Sequence, residues 1–163
     1  MGMQVALQRS FLVALGLSLG LLAACGGGQV RRVSDPAANI QQLTVQADGS
    51  WSVEVRIDNF SSVPMRFDRV DLKLALTGQE AASLRATPGL SIGPESADVV
   101  TVHTPPPAGA RIAIADTLAR GRSIHYHLQG TLVAAPEKGG TKEYEVERDN
   151  ALSPVPGVTG VLR

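Results

Sequence analysis

Three histidines, one cysteine and two groups of acidic residues are the parts of this 163-residue chain whose types and spacing bear on chemistry. His125 and His127 are separated by one residue. On a β-strand, positions i and i+2 project from one face about 6.5–7 Å apart, and two imidazoles so placed can share a metal ion. A third ligand would have to come from elsewhere, and His103 is the remaining histidine. The pair reads first as two histidines on the wet face of a sheet and second as candidate metal ligands. Glu143, Glu145 and Glu147 alternate with Tyr144 and Val146, which lines three carboxylates along one face of a strand. A solvated face is the ordinary meaning, and contact with a cation or a basic partner is the alternative. Asp68 and Asp71 straddle a break in the strand pattern and read as turn or bulge polars rather than an acid–base pair. No Gly-x-Ser-x-Gly elbow supports a serine nucleophile. Gly26-Gly27-Gly28 does not lie between a strand and a helix as a phosphate-cradling loop does. The expectation is a protein that is not an enzyme and takes no cofactor.

Cys25 is the single cysteine, so it has no internal disulfide partner. Its surroundings supply another use for it. Arg9 is followed by SFLVALGLSLGLLAA over residues 10–24. A basic start, an apolar run and small residues before its end form a secretory signal. The run is about 15 residues, short of the roughly 20 that a bilayer span needs. Leu22-Ala23-Ala24-Cys25 resembles the bacterial lipoprotein box. That resemblance implies diacylglycerol on the thiol, cleavage before Cys25 and anchoring through acyl chains such as palmitate. Each buried methylene contributes about 0.8 kcal/mol, and two or more chains hold a protein on a membrane stably. Gly26, rather than Asp, follows the cysteine, which tilts the expected location to the outer membrane, facing the periplasm of a bacterial cell envelope. Residues 1–24 are thus expected to be a signal peptide, 25–37 a lipidated cysteine and flexible tether, 38–156 the folded domain and 157–163 a C-terminal tail. Asp35-Pro36 marks the boundary.

The elements that would position these groups are strands. Asn39–Gln46 is a first, irregular one, and Asp48-Gly49 is a hairpin signal. Across Trp51–Asn59, Trp51, Val53, Val55 and Ile57 point one way while Ser52, Glu54, Arg56 and Asp58 point the other. Asn59–Pro64 is a loop. In Met65–Leu76 the apolar phase moves from odd positions (Met65, Phe67) to even ones (Val70, Leu72, Leu74, Leu76), which requires a bulge or a strand switch near Asp68-Arg69. Thr77-Gly78 turns the chain into a short edge strand, Glu80–Ala86. Thr87–Ser96 reads as loop and Asp98–His103 as a strand with Val100 and Val102 inward. Ile112, Ala115, Leu118 and Ala119 fall at helical spacing before Gly121, a natural stop. Ile124, Tyr126, Leu128 and Leu132 alternate through the next strand, and Tyr144 and Val146 face inward in Lys142–Arg148. The expected fold is all-β: an immunoglobulin/fibronectin type III-like β-sandwich of about seven strands with one short helix or irregular crossover.

Composition agrees. Aromatic residues are 4% of the chain, so the core rests on Val, Ile and Leu; Gly 17 and Pro 10 suit a turn-rich domain. The formal net charge is +0, and a near-neutral domain has no strong electrostatic claim on nucleic acid. Arg31-Arg32, the one basic doublet, reads as solvated linker. Val53–Asn59 with Phe60–Phe67, then Val70–Gly78, then Arg120–Ala134 with tyrosine and glycine at its centre, resemble in that order the late-embryogenesis-abundant type 2 proteins, which contain the water-stress and hypersensitive-response (WHy) domain. The likeness spans about Ile40–Pro156, with Asn59-Phe60 where the family usually has Asn-Pro. It implies an immunoglobulin-like sandwich, an association with desiccation and other stress responses, and a protective activity exerted by binding or shielding other proteins. Bacterial members are often lipoproteins. The expected partners are therefore a membrane, through lipid on Cys25, and a client protein. A structural adaptor lipoprotein of an envelope secretion or lipid-transport complex is the alternative.

Overall fold

A computed structural model describes residues 31–163. Cys25, the leader and the glycine run lie outside the described residues. Nine strands are present among the described residues: β1 (Ala37–Val45), β2 (Trp51–Asn59), β3 (Met65–Leu76), β4 (Gln79–Ala86), β5 (Leu90–Ile92), β6 (Ser96–Thr104), β7 (Ile124–Pro136), β8 (Lys142–Leu152) and β9 (Val161–Leu162). Helix α1 (Ala108–Arg120) joins β6 to β7.

The strands form two antiparallel sheets. One has the order β6-β2-β1-β9; the other has the order β4-β3-β7-β8, with β5 pairing β3 beyond the end of β4. Leaving out β5 and β9, this is the three-plus-four strand order of a fibronectin type III sandwich. Alternation explains it: Trp51, Val53, Val55 and Ile57 from β2 are buried against Leu72, Leu74, Leu128 and Leu132 of the opposite sheet in one core. The phase change in β3 is real. Its register against β7 shifts between Phe67 and Arg69, and the extra residue lets Phe67 and Val70 both face inward. A second irregularity in β1, between Ile40 and Gln42, accompanies a bond across the core. There the Ile40 amide donates to the Tyr126 hydroxyl at 3.0 Å, joining the two sheets.

Four expectations need correction. Seven strands become nine because β5 and β9 are too short to show a period of their own. Leu90–Ile92 lies inside the stretch read as loop, and it is held by pairing with Met65–Phe67. The last residues do not trail away: Leu162 is fully buried and pairs with Leu43. The helix is rotated from its expected face. Ala110, Ile114 and Thr117 are buried, while Ile112 is 69% exposed. Finally, residues 32–36 are not free tether, as described below.

Gly130 sits mid-strand in β7, opposite Leu72 and Val146, with φ +148°. A Cβ there would meet the Asp71 carbonyl oxygen at 2.2 Å, so only glycine fits. Two of the outermost strands, β6 and β8, also carry a local block. On β6 the Val99 amide donates to Asp98 Oδ1 at 2.8 Å, and on β8 the Ala151 amide donates to Asn150 Oδ1 at 2.8 Å. A side chain thus occupies an amide that another chain's edge would need. Gly130→Ala is expected to cost at least about 2 kcal/mol, a fall in Tm of roughly 8 °C by thermal melting. The pair Asp98→Val with Asn150→Val should keep the melting temperature within a few degrees yet form larger species by light scattering.

Candidate functional site

The loop between β2 and β3 gathers one end of the sandwich around Asn59. This residue closes β2 and is 1% exposed. Its amide nitrogen lies 3.0 Å from the Val63 carbonyl oxygen, 3.1 Å from that of Ile92 and 2.8 Å from that of Gly93, and its carbonyl accepts from the Ser61 amide at 2.9 Å. One carboxamide therefore binds its own loop to β5, across from one sheet to the other. Ser61, also fully buried, accepts from the Ser34 amide at 3.0 Å through its hydroxyl.

The segment before β1 is strapped over this loop. The Arg32 amide donates to Ser62 Oγ at 2.8 Å, and the Ser62 amide donates to the Arg32 carbonyl at 3.0 Å. The Arg32 guanidinium reaches the Phe60 carbonyl at 3.0 Å and Glu95 Oε1 at 3.1 Å. Glu95 holds the left-handed conformation, φ 49°, uncommon for a residue with a side chain, while its amide donates to the Ser61 carbonyl at 3.0 Å. Arg31 donates to the Lys138 carbonyl in the β7–β8 loop. The arginine doublet, expected to be solvated linker, is instead the clasp. Beside it opens a cleft of about 390 Å³ lined by Arg32, Arg56, Asp58, Phe60, Glu95 and Ser96 among others. Phe60 stands at its edge, 51% exposed, and Val33 on the strap is 45% exposed.

The residues singled out for chemistry fall elsewhere. His125 and His127 project from the outer face of β7, as the spacing requires. His125 lines a shallow depression of about 330 Å³ with Asp116, Arg122 and others at the opposite end of the sandwich. His127 Nδ1 is 2.8 Å from Asp149 Oδ1 on β8. That bond, with smaller help from nearby carboxylate charge, raises the imidazole above its ordinary value. His103 lies on β6 in the other sheet. Among the described residues no three His, Cys, Asp or Glu side chains are grouped to hold a metal. Glu143, Glu145 and Glu147 stand exposed along β8, opposite Val133, Thr131 and Gln129. Asp68 and Asp71 each meet an arginine: Arg66 at 2.8 Å and Arg85 at 3.1 Å. The Asn59 cluster itself was missed at the sequence level. Its signal was a lone Asn after a clean strand, which reads as a turn former and gives no hint that two of its three acceptors lie more than thirty residues away.

The two antiparallel sheets define the class as a β-sandwich. A family model described as late embryogenesis abundant protein matches residues 54–149, and the chain belongs to that family, a family of β-sandwich proteins. The match opens within β2 and closes in β8, so it takes in Asn59, its loop and Gly130. Solved structures are similar at low identity. One described as a late embryogenesis abundant protein is 15% identical, with 93% of this chain and 88% of that one covered and a TM-score of 0.49. A solution structure from Arabidopsis thaliana is 14% identical, covering 80% and 84%, with a TM-score of 0.48. A crystal structure from Archaeoglobus fulgidus is 12% identical, covering 76% and 98%, with a TM-score of 0.45. No curated protein matches the chain.

The raised His127 pKa has a definite sign. The protonated imidazole gains its partner only in the folded state. Its stabilisation is therefore complete below the unfolded value of about 6.5 and is lost as pH rises through the higher folded value. Asp149→Asn should bring the His127 titration down toward its ordinary value in an NMR pH series.

Proposed function

We propose that the chain is a membrane-tethered lipoprotein of the bacterial envelope whose β-sandwich protects or binds other molecules without catalysing a reaction on them. The family supplies the stress-related, non-enzymatic character. The Leu22-Ala23-Ala24-Cys25 sequence supplies the anchor, with lipid on Cys25 and the outer membrane, facing the periplasm, as its location. The observation that carries the reading is the apolar run ending in Leu22-Ala23-Ala24-Cys25. The clasp of Arg31 and Arg32 is consistent with it, since residues 26–30 are all that lie between Cys25 and the first pinned residue. A client would then meet the outer faces of the sheets or the end bearing α1.

An adaptor role in an envelope secretion or lipid-transport complex has one feature in its favour. Ile112 turns its side chain to solvent from the outer surface of α1, at the end opposite the clasp.

Cys25→Ser is expected to move the protein from the membrane to the soluble fraction, and intact mass of the native form to show added acyl chains. Loss of the protein should raise sensitivity to drying or osmotic shock. Normal survival, with a photo-crosslinker at position 112 capturing one stoichiometric partner, would favour the adaptor.

A further inference from the structure

We infer that the Asn59 end of the sandwich is a bilayer-docking surface, with Phe60 seated in the membrane interface and a zwitterionic phospholipid headgroup in the adjoining cleft. The inference rests on the lipid anchor proposed above and adds an orientation and a ligand to it. Phe60 and Val33 are large apolar side chains left about half exposed. They lie on the two segments that the Arg32–Ser62 and Ser34–Ser61 bonds join, so both are presented by a braced backbone rather than by a loose loop. A single exposed apolar residue is ordinary. Two on one pinned end, where the chain leads back to the candidate anchor, call for a common cover. Five residues lie between Cys25 and Arg31, which makes six Cα–Cα steps. At no more than about 3.6 Å each, they keep this end within roughly 20 Å of the acylated thiol.

Three ion pairs stand at this end. Arg32 meets Glu95 at 3.1 Å, Arg56 meets Asp58 at 3.0 Å and Lys142 meets Asp35 at 3.4 Å. Such a surface has little net charge to attract anionic lipid. It suits a headgroup carrying both signs. In the cleft, the Arg32 and Arg56 guanidinium groups are donors for a lipid phosphate. Glu95 and Asp58 face a quaternary ammonium, and the Phe60 ring offers it a cation–π contact. Phenylalanine at this depth keeps its ring among the upper acyl carbons while Arg32 stays at the headgroups.

The test uses the full lipidated chain in phosphatidylcholine vesicles. Trp51 is the one native tryptophan and is fully buried. Trp51→Phe therefore silences the background, and Phe60→Trp or Val158→Trp reports either end. Val158 is about as exposed as Phe60 but lies at the opposite end. Binding to vesicles should blue-shift the emission of the reporter at position 60, and brominated lipid should quench it by roughly twofold or more, while the one at 158 is unchanged by either. The quenching should be no greater with added phosphatidylglycerol, and Arg56→Ala should lower it. A nitroxide on Phe60→Cys in the native Trp51 background, read by its collisions with oxygen against a water-soluble nickel complex, gives the same answer without touching the core. A chain that floats with vesicles while position 60 stays unquenched and water-accessible overturns the docking alone. A chain that never enters the vesicle fraction overturns the anchor and the docking together.

Discussion

One carboxamide organises the end of the molecule on which the rest of the reading depends. A buried polar group must find partners or cost free energy, and Asn59 finds them in three carbonyls and an amide drawn from its own loop and from the end of β5. Geometry at every neighbouring position follows. Ser61 can be buried because its hydroxyl meets Ser34. Phe60 is turned outward because the residues on both sides of it are held inward. Glu95 tolerates a left-handed backbone because Ser61 and Arg32 bind it at both ends. A hydrophobic side chain of similar size at position 59 would lose the bonds to the Ile92 and Gly93 carbonyls that tie the loop to β5.

The core is more conventional, and its polar exceptions are instructive. The Tyr126 hydroxyl accepts from the Ile40 amide at the point where β1 loses register. Irregular backbone there frees a donor, and the opposite sheet supplies the acceptor. Burial raises the Tyr126 hydroxyl above its ordinary value, so it stays a neutral partner throughout the physiological range. Trp51 is the contrary case: its indole N–H is buried with no partner among the described residues. Its large apolar surface, fully removed from water, offsets that loss.

Period-two patterning made most of this architecture legible. The bounds of β2 coincide with its alternation, and the slip in β3 is written as a change of parity that no straight strand can carry. Gly121 marks the helix end as expected, with φ 62°. The face of the helix was not legible, because an alanine-rich segment with Ile at 112 and 114 carries two narrow apolar stripes. Packing selects the one containing Ile114. β5 and β9 are specified by the strands they join, not by themselves. The candidate site was the least visible part. The histidine pair and the alternating glutamates stood out by type and spacing, and the structure spreads them over an open sheet face. Asn59 and Arg32 have partners up to 63 positions distant, and only the fold can bring such groups together.

β1 is flanked on both sides, by β2 along its length and by β9 near its end. The strap enters at its first residues, so tension arriving from the amino-terminal side runs along the axis of this strand. Its ladder bonds lie across that direction and must yield together rather than one at a time, as they would in an unzipping geometry. A pull from the amino-terminal side thus reaches the clasp of Arg31 and Arg32 before it reaches the β1 ladder.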